Sequence, residues 1–272
     1  MASIWFVGCG NMARAMVEGW RKAGFDLSDA VAIRPSGTPV EGVRTVSTLP
    51  DDAPPRLAML GFKPQKLDEV APELAPRLGP DTVVLSLLAG AEAKSLRARF
   101  PQVRSVVRAM PNLPVSERMG VTALYSEDAG EALRGEIGSF IGVLGLAHWC
   151  SVEQELGAIG SVAGSGPAFV ARFVTALARA GESVGLPSEL SLDLTLRTVA
   201  GTAALAQAHG EDMASIARRV ASPRGTTEAG LAVLDEDEAL NRLLAETLAA
   251  SQRRGRELAA ETRGIDSPPP LA

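Results

Sequence analysis

The chain has 272 residues but only two cysteines, two histidines and one tyrosine, and aromatic residues make up 4% of it. Cys9 and Cys150 stand alone, without Cys-x-x-Cys spacing, and two histidines add little to any ligand set. The expectation is a reduced, metal-free protein of the cytoplasm. Neither charge sign dominates: 27 basic residues face 32 acidic ones, for a net charge of -5. That excludes the basic surface on which nucleic-acid binding depends. No apolar run approaches the roughly 20 residues needed to cross a bilayer, so no membrane partner is expected. Residues 1–3 lead into an apolar pattern without the charged and apolar regions of a signal peptide. Hydrophobic residues, by contrast, reach 46%, enough for a sizeable core.

Two halves read differently. Up to about Cys150, short β-branched runs alternate with segments of helical spacing. The predicted strands are Ile4–Val7, Ala30–Ile33, Leu57–Leu60, Val83–Leu87 and Val103–Val107, with helices over Asn11–Ala23 and Gln65–Leu78. Regular alternation of this kind predicts an α/β fold, a Rossmann-like doubly wound parallel sheet over residues 1–152. An all-helical domain is expected over 153–265, from alanine- and leucine-rich segments Ala168–Val184, Glu189–Ala208, Met213–Val220 and Ala239–Leu258. The tail 266–272 carries three consecutive prolines and is expected to be disordered.

Gly8-Cys9-Gly10-Asn11-Met12-Ala13 lies between the first strand and the first helix, the context in which a G-x-G-x-x-A string binds a dinucleotide. Gly8 permits the tight turn and Gly10 the close approach of a pyrophosphate. That pyrophosphate would rest on the helix start at Asn11 and Met12, and Ala13 lets helix and strand pack closely. The second strand ends Ile33-Arg34-Pro35-Ser36-Gly37, with no acid before Glu41 to receive a ribose 2′-hydroxyl. Arg34 and Ser36 suit a 2′-phosphate instead, so NADPH is expected, with NADH possible. A surface arginine in a turn is the alternative reading.

Four further strings follow: Lys63-Pro64-Gln65, Arg108-Ala109-Met110-Pro111-Asn112-Leu113-Pro114, Gly164-Ser165-Gly166-Pro167-Ala168-Phe169 and Ser222-Pro223-Arg224-Gly225-Thr226-Thr227. With the glycine loop, in this order from Val7 to about Leu258, the sequence resembles the pyrroline-5-carboxylate reductases. The resemblance implies NAD(P)H-dependent reduction of 1-pyrroline-5-carboxylate to L-proline, the last step of proline biosynthesis. It also implies a helical dimerisation domain and a homo-oligomer, either a dimer or a ring of dimers. The small-molecule partner is then a cyclic imine. Lys63 can face the cofactor or simply end a strand. Asn112 is placed beside the nicotinamide by the resemblance, and as a residue it can equally cap a rigid turn. Ser165-Gly166-Pro167 and Gly225-Thr226-Thr227 read as helix starts, with hydroxyls near the first turn, proline at the first helical position in the former, and free N–H groups suited to a carboxylate. As residues these are compatible with caps or with a ligand site; the resemblance implies that the Gly225-Thr226-Thr227 turn holds the substrate carboxylate, and Ser165, Gly225, Thr226 and Thr227 are the expected substrate contacts. By resemblance Thr227 touches the ring nitrogen, and it is the expected catalytic residue. His148 and His209 are expected to be structural.

The pattern has departures. Arg224 stands where the family has glycine, Thr175 and Arg197 where it commonly has glutamate and glutamine, and Leu60-Gly61-Phe62 is less usual. They leave open a paralogue that reduces another cyclic imino acid, or a catalytically silent nucleotide sensor. The β-hydroxyacid dehydrogenases need a helical lysine, and no lysine follows Lys94.

Overall fold

The computed structural model describes residues 3–265, with side chains to residue 257. The expected disordered tail, 266–272, lies outside the described residues. Contacts divide the chain into two compact units. One runs to Ser165 and also takes in the chain from Ser251 on, and the other is Gly166–Ala250.

The first unit is built on eight strands: β1 (Ile4–Val7), β2 (Val31–Ile33), β3 (Arg44–Val46), β4 (Leu57–Leu60), β5 (Val83–Ser86), β6 (Ser105–Pro111), β7 (Gly120–Tyr125) and β8 (Gly145–Trp149). Their order is β3-β2-β1-β4-β5-β6-β7-β8. All pairs are parallel except β6 with β7. Helices α1 (Asn11–Lys22), α2 (Leu67–Leu74), α3 (Ala93–Arg99), α4 (Glu131–Gly142) and α5 (Gln154–Ile159) belong to this unit. Strand alternation sends β1 side chains to both faces. Ile4 and Phe6 join Met16, Trp20 and Phe140 in one core, while Trp5 and Val7 join Leu67, Leu74, Leu96 and Phe100 in the other. Burial on both faces is why the central strands read as unbroken apolar runs. Trp20 ties α1 to α4: its ring stacks on Phe140 at 4.4 Å, and its Nε1 donates to the Phe140 carbonyl at 3.0 Å.

The structure departs from the sequence reading in several places. β3, β7 and α4 were not among the expected elements, and β6 continues through Pro111, so Arg108–Pro111 forms strand rather than the loop after one. From Gln154 to Ser183 the chain forms 30 residues of continuous helix, interrupted only by a π turn at Gly160–Gly164. One 18-residue window within it reaches a mean hydropathy of 1.2, which by length and composition alone is enough to cross a membrane. A count of consecutive apolar residues missed this because Ser161, Ser165, Pro167 and Arg172 break the run of Val, Phe, Leu and Ala that carries it.

The second unit holds α6 (Gly166–Ser183), α7 (Ser188–His209), α8 (Met213–Val220), α9 (Thr226–Asp235) and the first part of α10 (Ala239–Ile265). Its burial is inverted. On α7 the buried residues are Ser191 and Thr195, whereas Leu190, Leu192, Leu194 and Leu196 are exposed. Of this unit's large side chains only Val174 and Ile216 are buried, while Val170, Phe173 and Leu177 on α6 face outward. Such a helical unit lacks partners for its apolar faces.

Candidate active site

The site begins where β1 gives way to α1, at the switch between β2 on one side of β1 and β4 on the other. Gly8 has φ 74°, a conformation natural to glycine, and a Cβ there would lie 2.6 Å from the Cβ of Phe62. Gly61, which the sequence reading noted only as unusual, is as constrained. Its Cβ would stand 2.6 Å from the Gly8 carbonyl oxygen and 3.2 Å from Ala13 Cβ. The loops after β1 and β4 therefore meet backbone to backbone, with Gly10 N–H donating across to the Gly61 carbonyl at 3.4 Å as well as to the Gly8 carbonyl at 2.9 Å. Gly10 is the N-cap of α1, no side chain caps it, and the first turn carries no acid. The N–H groups of the first turn are left for an anion.

An open cavity of about 460 Å³ lies over this helix start, lined by Gly8, Gly10, Asn11, Met12, Arg34, Ser36 and Lys63 together with Cys9, Ala13, Gly61, Phe62 and Leu87. Seven of the eight expected cofactor residues thus share one cavity. Arg34 is held in the turn after β2 by an Nη1 bond to the Thr38 carbonyl at 2.6 Å, and the Ser36 hydroxyl lies 3.0 Å from that of Thr38. Glu41, the first acid after β2, is engaged by Arg21 at 2.6 Å. Among the described residues neither Arg34 nor Lys63 makes a salt bridge, so two uncompensated cations face the cavity. Cys9 is no nucleophile here: burial pushes its thiol up to about 11, against the lowering pull of Arg34 and Arg14.

Asn112 is the eighth, and it does not line this cavity. Its Oδ1 accepts from Val121 N–H at 2.8 Å, and its Nδ2 donates to the Ala163 carbonyl at 3.0 Å. Ala163 lies four residues before Pro167, whose missing N–H would leave that carbonyl unpaired in a regular helix. Asn112 supplies the donor that proline lacks. One amide hydrogen and one lone pair of the carbonyl oxygen are engaged within the protein, which anchors the backbone here. The preceding Arg108 is tied by Nη1 to Glu153 Oε1 at 2.7 Å, and the same oxygen accepts from Ala93 N–H at 2.7 Å. This pair, 11% and 21% exposed, joins β6 to the starts of α3 and α5. It was not legible in the sequence because its members lie 45 residues apart.

Ser165 is not a helix cap. Its backbone is helical, and its N–H donates to the Gly160 carbonyl at 3.1 Å as part of the π turn. Proline at position 167 follows Gly166, so it is the second rather than the first residue of α6. The Ser165 hydroxyl lies 3.2 Å from that of Ser251. In the second unit α9 starts at Thr226 with Gly225 as N-cap, and here too the expected hydroxyl cap is absent. A Cβ on Gly225 would meet Ser222 Oγ at 2.4 Å. Glu228 closes the turn by accepting from Arg224 N–H. Among the described residues the Thr226 and Thr227 hydroxyls have no hydrogen-bond partner, so this turn presents unspent N–H and O–H donors. Arg224 holds φ 60°, a conformation that favours glycine.

Comparison with known proteins accounts for both units. A family model described as pyrroline-5-carboxylate reductase dimerisation matches residues 153–258. A pyrroline-5-carboxylate reductase of Pseudomonas aeruginosa is 34% identical over 266 residues, covering 95% of this chain and 97% of its own. One from Synechocystis is 36% identical over 208 residues, covering 74% of each chain. Among solved structures, the Coxiella burnetii pyrroline-5-carboxylate reductase superposes with a TM-score of 0.87 at 32% identity, covering 94% of this chain and 98% of that one. The fold is also that of a Plasmodium falciparum pyrroline carboxylate reductase solved with NADP bound, with a TM-score of 0.83 at 21% identity over 95% and 98% of the two chains. The glycine loop, the cation-lined cavity, the donor turn of α9 and the unpartnered helical faces thus sit on a chain that belongs to the pyrroline-5-carboxylate reductase family.

Proposed function

We propose that the protein reduces 1-pyrroline-5-carboxylate to L-proline with NADPH, in the cytoplasm, as a homo-oligomer. The observation that carries the reading is the cavity over α1, where a bare helix start meets two cations without carboxylate partners and no acid waits at the end of β2. Gly8, Gly10 and Gly61 leave the close approach that a pyrophosphate needs, and Arg34 with Ser36 suits a 2′-phosphate. A bound nicotinamide supplies the hydride for the imine carbon. The protein's task is then to orient the imine and settle its charge. The N–H groups of Thr226 and Thr227 hold the substrate carboxylate, while the Gly225 N–H closes the turn on the Ser222 carbonyl at 2.9 Å and its lack of a side chain leaves room for the approach. The iminium nitrogen brings its own proton; as hydride reaches the carbon, the lone pair that develops on nitrogen accepts from the Thr227 hydroxyl, and the group becomes the secondary amine of proline. The exposed leucines of α6 and α7 support assembly into a dimer, or a ring of dimers, through the helical unit.

Arg224 favours a second reading, a related cyclic imino acid, because it puts a cation beside the substrate turn where the family has none. Steady-state NADPH oxidation with 1-pyrroline-5-carboxylate decides between them, run beside 1-piperideine-2-carboxylate and beside NADH. Fast turnover of the five-membered imine is expected. Turnover of the six-membered imine alone would shift the substrate, and tight NADPH binding without turnover of either would make the protein a sensor.

A further inference from the structure

Away from the cavity, the far edge of the sheet brings together a side-chain cluster that the reaction does not use. β8 pairs only with β7, opposite Gly120–Leu124, and its alternation puts Trp149 on one face and His148 and Cys150 on the other. Trp149 turns toward α4, where its Nε1 donates to the Arg134 carbonyl at 3.1 Å and the Arg134 guanidinium lies 4.9 Å from its ring. Cys150 turns toward α5 and packs with Leu156. The first turn of α5 returns Glu155 to the same place, where its Oε2 accepts from Ser151 N–H at 2.7 Å. A ring nitrogen of His148, Cys150 Sγ and a Glu155 carboxylate oxygen all lie within 4.8 Å of one another.

We propose that His148, Cys150 and Glu155 form a binding site for one Zn²⁺-class divalent transition-metal ion. Ligand atoms of a tetrahedral zinc centre stand about 3.5 Å apart, given Zn–N near 2.0 Å and Zn–S near 2.3 Å. The three groups need to close by about 1 Å or so, and exposed His148 can turn to do it. One nitrogen, one sulfur and one carboxylate oxygen match this borderline-soft ion, and exclude Mg²⁺ and Ca²⁺, which take oxygen sets. The Ser151 N–H already fixes the carboxylate, as outer-shell bonds do in metal sites. On binding, the Cys150 thiol releases its proton to solvent as the sulfur–metal bond forms, and water completes the fourth position. Burial and the neighbouring Glu155 hold that thiol protonated without metal, with Arg108 opposing them. The ion would clip the edge strand β8 to α5. The sequence offered no hint because His-x-Cys followed five residues later by Glu belongs to no usual zinc spacing.

The test uses the reduced, chelator-stripped full chain titrated with Co²⁺ and then Zn²⁺, with no substrate or NADPH present. One equivalent of cobalt should produce a thiolate charge-transfer band that Zn²⁺ removes, and Zn²⁺ should raise the thermal midpoint. His148→Ala and Glu155→Gln should each weaken binding about tenfold or more, as loss of metal-site support does, and Cys150→Ser should abolish the band. Cys150 is buried, so if its variant does not fold, the two outer variants carry the test. Absence of the band at millimolar cobalt, or an unchanged band in both His148→Ala and Glu155→Gln, would overturn the site.

Discussion

The two units bury their apolar surface in opposite ways. In the first, both faces of β1 are covered by its own helices, and Trp5, Phe6, Met16 and Trp20 are at most 1% exposed. In the second, α7 turns Ser191 and Thr195 inward and leaves four leucines, Leu190 to Leu196 at alternate positions, about half exposed. The first unit therefore buries its apolar surface within one chain, and the second leaves apolar faces exposed. Function divides along the same line: the cofactor cavity belongs to the first unit, and the donor turn proposed for the substrate to the second.

The largest expected effect sets the two kinds of burial against each other. Trp20→Ala removes a fully buried ring, its stack on Phe140 and a hydrogen bond, at a cost of about 3–5 kcal/mol. Leu194→Glu, half exposed on α7, should leave the urea midpoint of a dilute monomer nearly unchanged. It should instead shift the mass measured by light scattering to a smaller species. Equal unfolding costs for the two variants, with assembly intact in both, would erase the distinction.

A crossed pair tests the division of function. Thr227→Ala should lower turnover about 100-fold, as loss of a hydrogen-bond donor positioned for the transition state does, and leave the NADPH Kd unchanged. Arg34→Ala should do the converse: loss of a charge-assisted bond, about 1.5–3 kcal/mol, weakens NADPH by roughly 10- to 100-fold while NADH changes little. Isothermal titration separates binding from the kinetics. Arg34→Ala weakening both nucleotides alike would place the guanidinium away from a 2′-phosphate.

What could be read from the sequence follows the same physics. Strands buried on both faces, such as β1, β4 and β5, appear as apolar runs, and the helices of the second unit appear through composition. β3 is three residues with an exposed arginine. β8 is an edge strand with Leu146 and His148 exposed. These weak patterns passed beneath a search for apolar periodicity. In the site, residues within one loop were legible and those defined by contact across the chain were not. The glycine string pointed to Gly8 and Gly10, but Gly61 matters only because the Gly8 carbonyl lies against it. Asn112 was weighed as a cofactor contact or a cap. Its actual role depends on the carbonyl freed by Pro167, which no local pattern announces.

The smallest expected effect concerns Arg224, where local strain and substrate chemistry can be separated. An L-residue in the left-handed region costs about 1 kcal/mol, which glycine does not incur. Glycine also loosens the unfolded chain, which returns about half of that gain. Among the described residues the Arg224 side chain makes no salt bridge or hydrogen bond, and only its backbone N–H is held, by Glu228. Arg224→Gly keeps that backbone bond, so the net expectation is about 0.5 kcal/mol of stabilisation. For a chain of this size that is a rise in thermal midpoint of roughly 1–2 °C by calorimetry. A fall instead would show that the guanidinium has a partner in the assembled protein, and the second unit would then owe part of its stability to a charge. The same variant's KM for the imine reports whether that charge reaches the substrate carboxylate: a rise assigns Arg224 to the substrate, and an unchanged value leaves it a tolerated strain.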